Sequence, residues 1–379
     1  MKKLITILIL VVSSNSIFAQ TCTKADTENV PGVWKPGIKS TISLSGADLI
    51  KAKSVTPIAD NMMRPGFEVP KGLEATYFSA YLGFNNNLGN NLAQYYYINR
   101  FNHFMCYNNQ VTRNPDSQII LRITFNDPGI IFSRDVLPGE WQENEKDHFG
   151  WLDNFPDQKN GIIYTKATPD SAQFTRQPDR WLLTYDGKLP YAYVTRLEYL
   201  QKRKEKLDKS YIKENELTKS IYPIRPKAEQ EKEKAEVLQK YKDEAAKGYG
   251  DWTNRYLQNY QTDEQKQEVY LKSNAENYQK SIRAVDNLLK MPEKELQKTA
   301  IVSDLGEFTA FSNEGDVGAH ILIKENPEYY NSKLPKAVPQ VIFVTLTRYD
   351  GSSKPNYITV YNEIMSRLDL EKLKGLLGK

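Results

Sequence analysis

Between Tyr95 and Tyr107 the chain reads YYYINRFNHFMCY. In an extended backbone Tyr95, Tyr97, Phe101, His103, Met105 and Tyr107 share one face, while Tyr96, Ile98, Phe104 and Cys106 share the other. The aromatic and β-branched content predicts a strand rather than a helix. The preceding NNNLGNN predicts a loop, because Asn and Gly tolerate left-handed backbone. Farther along, SQIILRITFND alternates cleanly: Ile119, Leu121, Ile123 and Phe125 lie on one face, Arg122 and Thr124 on the other, which is the pattern of a half-buried strand. RNPDS before it predicts the connecting turn. GIIFS, GIIYTKA and RWLLTYDGKLPYAYV predict further strands, the last broken at Asp186-Gly187. Residues 25–190 therefore read as a β-rich domain.

The period changes at VTRLEYLQKRKEKLDKSYIKENELTK, where Thr195 and Glu198 form a capping box and Val194 occupies the staple position. Glu205 stands four residues ahead of Lys209, as on an exposed helix face. A second helix, KAEQEKEKAEVLQKYKDEAAKGYG, should stop near Gly248. A third, capped by Thr262 and Gln265, carries Val269, Tyr270, Tyr278, Ile282, Val285 and Leu289. These narrow apolar stripes suit packing against neighbouring helices or the sheet domain, so residues 191–300 form a charged helical region.

Pro292 predicts the first turn of a short helix, after which AIVSDLGEFTAF, GAHILIKEN and VPQVIFVTLTRY predict strands, the last apolar enough to be central. Asp350-Gly351 predicts a turn, PNYITVYNEIM a strand or a helix, and DLEKLKGLLG a closing helix from Asp369. The expected class is α+β: a β-rich N-terminal domain, a charged helical middle, and a small C-terminal α+β unit over residues 301–379.

Compartment follows from MKKLITILILVVSSNSIFAQ. Two lysines precede a short apolar run and Ala19, so residues 1–19 read as a signal peptide and the mature protein as periplasmic or secreted. A lipid anchor on Cys22 is the competing reading; Thr21 is not the small Gly or Ala that lipidation takes there. No other run reaches the ~18 apolar residues of a transmembrane span. Lys+Arg and Asp+Glu total 51 and 47, a balance too even to sustain a field for nucleic acid. The 379 residues exceed what one core usually organises. Outside the cytoplasm the two cysteines should pair, Cys22 to Cys106.

Candidate chemistry is sparse. His103 and Cys106 point to opposite sides of the predicted strand, so HFMC does not make a metal site, and no metal or cofactor is implied. There is no zinc-protease helix, nucleophile elbow, phosphate loop or dinucleotide fingerprint. The densest group is GEWQENEKDHFGWLDNFPD, where Glu140, Glu143, Asp147, His148 and Asp153 stand among Trp141, Phe149 and Trp151. Glycosidases need two carboxylates, and aromatic rings stack on sugars, so Glu140, Glu143 and His148 are the catalytic candidates and Trp141 and Trp151 the binding candidates. The plainer reading is a surface loop whose tryptophans anchor it. The expectation is a noncatalytic protein binding an envelope or extracellular protein or glycan; the alternative is a carboxylate-dependent glycan hydrolase.

WLLTYDGKLPYAYVTRLEYLQ, followed by KMPEKELQKTAIV, together with a leader ending in FAQ, resembles segments of uncharacterised secreted proteins of Bacteroidota-type bacteria. The resemblance covers about half of the chain and implies no reaction, ligand or fold.

Overall fold

The computed structural model describes residues 21–37, 41–84, 91–116, 119–127, 149–152, 155–165, 179–348 and 355–379. The leader, GIIFS, Asp350-Gly351 and all but the last residue of NNNLGNN lie outside them. The class is α+β, and the chain divides into two compact units, residues 1–150, 155–192 and 324–379 forming the first and residues 151–154 and 193–323 the second.

The first unit opens with helix α1 (Lys24–Glu28), strand β1 (Val33–Pro36) and helix α2 (Gly46–Met63). Strands β2 (Leu73–Phe84), β3 (Ala93–Tyr107), β4 (Gln110–Arg113), β5 (Ile119–Phe125), β6 (Asp157–Lys159), β7 (Ile162–Thr165), β8 (Asp179–Leu183) and β9 (Ile342–Arg348) follow, and helices α3 (Pro355–Arg367) and α4 (Leu370–Lys374) close it. The strands form one nine-stranded sheet in the order β1-β2-β3-β5-β9-β8-β7-β6, with β4 paired to the end of β3. Only the β1–β2 pair is parallel among the described strands of this sheet.

The alternation read in β5 is realised in full: Ile119, Leu121, Ile123 and Phe125 are all 0% exposed. They meet Tyr95, Tyr97 and Phe101 of β3 on the same face, where Tyr95 stacks on Phe125 at 4.9 Å. Helices α2, α3 and α4 cover this face with Ala52, Val55, Ala59 and Met63, with Tyr357, Val360 and Ile364, and with Leu373. The two buried phenols of β3 find acceptors: Tyr95 Oη donates to Ala337 O at 2.9 Å and Tyr97 Oη to Asp60 at 2.8 Å.

Two features differ from the reading of residues 25–190 as simply β-rich. Helix α2 is an 18-residue element within that stretch. The C-terminal stretch also completes the same sheet: β9, the strand apolar enough to be central, pairs antiparallel with β5 on one side and β8 on the other. PNYITVYNEIM resolves as helix α3, and Asp369 caps α4, accepting from Lys372 N at 2.9 Å.

The second unit contains the helices Arg196–Ile221, Lys227–Ala246, Thr253–Asn259 and Asp263–Leu288. Thr195 Oγ1 accepts from Glu198 N at 3.1 Å, and the Thr262–Gln265 capping box is reciprocal. The two 26-residue helices run antiparallel, joined by Lys204 to Asp286 at 2.7 Å, by Tyr211 stacked on Tyr278 at 4.5 Å and by Tyr222 stacked on Tyr270 at 4.4 Å. The stripe of the last long helix is thus partly spent: Ile282 and Val285 are buried, while Val269 stays exposed. Gly248, with a positive φ, follows the second helix as expected. Pro292 precedes the short helix Glu293–Leu296 rather than opening it. Strand Ala319–Glu325 pairs antiparallel with Ile301–Ser303 in a four-stranded sheet.

Candidate functional site

On the face of β1, β2 and β3 opposite the core, the pleat turns outward the residues that the alternation leaves behind. From β1 comes Lys35; from β2, Glu74, Thr76, Phe78 and Ala80; from β3, Tyr96, Arg100 and Asn102; from β4, Arg113. Together they line a groove of about 340 Å³, at the small end of the range for ligand pockets.

Among the described residues Glu74 is the one carboxylate of the lining. Its side chain is only 7% exposed and is held from both sides, by Lys35 Nζ at 2.6 Å and Arg113 Nη1 at 3.1 Å. The groove wall beside it is fixed by Asn102, whose Nδ2 donates to Asn114 O at 2.9 Å. At the other end the chain after β1 runs directly over an aromatic ring: a Cβ on Gly37 would stand 2.5 Å from Phe78 Cδ1, so only glycine fits there. Gly37 N donates to Tyr77 O at 2.8 Å and continues the ladder past Pro36.

Two guanidinium groups differ from the tied pair. Arg100 lies over the Phe78 ring at 5.3 Å, and Arg122 of β5 over the Tyr96 ring at 4.3 Å, while Phe78 and Tyr96 meet edge to face at 6.2 Å. Such contacts hold a guanidinium plane in place while leaving its in-plane donors available. The register sets Ile98 opposite Arg122 and Arg100 opposite Ile120, so the two arginines are diagonal neighbours on one face, about 7–8 Å apart at the backbone. Neither has a carboxylate partner among the described residues, and Arg122 Nε and Thr124 Oγ1 beside it are buried with no hydrogen-bond partner there. Two like charges placed side by side repel, and the arrangement favours an oxyanion between them.

No family model, curated protein or solved structure matches the chain. The groove is therefore read from its own chemistry.

Of the residues singled out in the sequence, Glu140, Trp141, Glu143 and His148 lie outside the described residues. Trp151 is half-buried in the second unit, its ring edge-on to His320, and His320 Nε2 lies 3.3 Å from Asp304. Cys22 and Cys106 form the disulfide. His103 faces the core side, within 3.1 Å of Asn114 Nδ2 and edge-on to Tyr357, whereas Cys106 leaves the opposite face of β3. Imidazole and sulfur are thus held apart, and among the described residues no group of three or more His, Cys, Asp or Glu side chains is placed to hold a metal ion.

The groove residues were not singled out from the sequence. The available signal was the outward face of β5, where Arg122 and Thr124 alternate with the core residues. The sequence does not show that Arg100 and Lys35 come to the same face.

Proposed function

We propose that this is an exported, noncatalytic binding protein whose ligand or partner presents an oxyanion to the groove between β1 and β4. The observation that carries the reading is the Arg100–Arg122 pair, stacked on aromatic rings and lacking a carboxylate partner among the described residues. Among the described residues one carboxylate lines the groove, and Lys35 and Arg113 occupy it, whereas acid–base hydrolysis of a glycan takes two. Export is supported by the leader sequence and by the disulfide, which persists in oxidising compartments. Among the described residues no helix is long and apolar enough to cross a membrane.

The test is a thermal-shift screen of the mature protein against small anionic, neutral and cationic compounds, repeated on Arg100→Met/Arg122→Met. An anionic compound should raise the unfolding midpoint of the wild type only, and mass spectrometry should recover it unchanged. At a hundred times its Kd such a ligand stabilises by about 2.7 kcal/mol. Stabilisation that survives in the double variant, or chemical conversion of the compound, would refute the reading.

A further inference from the structure

Resting on that reading, we propose that the ligand is an acidic saccharide, a hydroxyl-rich ring bearing one carboxylate, of the uronic-acid class. Two features of the groove select it. First, the aromatic faces are already engaged: Arg100 covers Phe78, the chain at Gly37 crowds the same ring, and Arg122 covers Tyr96. A flat aromatic acid therefore gains little stacking surface. Second, beside Pro36, Ala80 and Pro115 the lining carries hydrogen-bonding groups: Thr41 and Thr76 bring hydroxyls, Lys35 and Arg113 bring donors, and Glu74 brings an acceptor. That mixture suits vicinal hydroxyl groups, each of which donates and accepts.

In this arrangement the carboxylate lies in the planes of the Arg100 and Arg122 forks, the geometry in which guanidinium recognises it best. The ring hydroxyls turn toward Thr76 and the Glu74 cluster. A volume of about 340 Å³ suits one or two sugar rings, so a longer chain would enter by an end or a side residue.

The experiment is isothermal titration of the full mature protein at low ionic strength with galacturonate, glucuronate and their di- and trisaccharides. Galactose, glucose, inorganic phosphate and sulfate serve as comparison probes. Uronates should bind, and the matching neutral sugars should bind at least tenfold more weakly. A charge-assisted hydrogen bond is worth enough that Arg122→Met or Arg100→Met should lose on the order of ten- to a hundredfold in affinity. Arg122→Lys, which keeps charge and loses the fork, should lose part of it. Circular dichroism and the unfolding midpoint of each variant establish that it is folded. If phosphate or sulfate saturates the wild type more tightly than any uronate and the arginine variants abolish it, the groove reading stands and the saccharide assignment falls. If neutral sugars bind as well as uronates, the assignment falls too. If no probe binds, or binding ignores both arginines, both readings fall.

Discussion

Reducing the Cys22–Cys106 bridge tests how the N-terminal wall of the groove is held. The bridge joins residues 84 apart in sequence, tying the segment that carries α1 and β1 to the end of β3. In the chain-entropy relation, closing a loop of that length removes about 15 cal/mol/K from the unfolded chain, or roughly 4.5 kcal/mol at 25 °C. For a unit of this size each kcal/mol moves the thermal midpoint by about 2–4 °C, so Cys22→Ser/Cys106→Ser should melt roughly 9–18 °C lower. In urea, with a slope of roughly 3 kcal/mol/M, the midpoint should fall by about 1.5 M. The slope should also rise, because the uncrossed unfolded chain exposes more surface. The native ladder from β1 to β2 and the bond from Gly72 N to Val30 O at 2.7 Å remain in the variant, so far-ultraviolet circular dichroism should change little. The assay pairs urea unfolding of both proteins with a thiol count on the denatured, unreduced mature chain. Two titratable thiols per chain, or a midpoint shift below about 0.3 M, would refute the reasoning, since either result means the loop is not closed in the unfolded ensemble.

Two further outcomes follow from other parts of the first unit. Gly32→Ala should cost about 2–3 kcal/mol and weaken any groove ligand, because its Cβ would stand 1.9 Å from Val69 O and push β1, with Lys35, away from its neighbours; a melting point and ligand affinity both unchanged would contradict this. Raising the pH should destabilise the fold: burial, followed by the bond to Asp179, pushes Tyr164 up to about 12, and burial also raises Tyr95, Tyr97 and Tyr329. The unfolded phenols lose their protons near pH 10 while the native ones keep theirs, so this stability is fully present below about 10 and lost as the pH rises toward about 12. Urea midpoints measured across that window should decline, and the ultraviolet phenolate band should appear together with unfolding; a gradual titration of every tyrosine near 10 with the fold intact would overturn the assignment.

The elements legible in the sequence are those whose signal is local. Alternation in SQIILRITFND specified the buried face of β5 residue by residue, and Thr195, Thr262 and Asp369 marked helix starts through hydrogen bonds to amides three residues away. Helix α2 hid although Ala52, Val55, Ala59 and Met63 follow helical spacing, because Pro57 sits inside it and Ser45 makes no side-chain cap. Strand β2 hid for a different reason. LEATYFSAYLGF has Glu74 and Thr76 buried at positions that an alternation of polar and apolar residues reserves for solvent, so its period is blurred. The position of β9 between β5 and β8 is set by pairings that cross more than 150 residues, which no local pattern encodes.

The groove escaped for that same reason, carried further. A nearly balanced total of 51 basic and 47 acidic residues gives no hint of local imbalance, yet the lining brings Lys35, Arg100 and Arg113 together with Glu74, and Arg122 of β5 stacks on its Tyr96. These residues lie on five different strands and are brought together only by pairing register. Stability alone would favour setting a carboxylate beside each guanidinium, or an apolar residue at the buried Arg122 Nε. Instead Glu74 is shared between two cations and the other two are stacked on Phe78 and Tyr96, an arrangement that orients donors without neutralising them. On the core side Tyr97 donates to Asp60, whereas on the other side the charge of Arg100 and Arg122 is left unbalanced, a departure from local consistency. Departures of that kind concentrate where a protein meets its ligand, and this supports the proposal that the groove between β1 and β4 binds one.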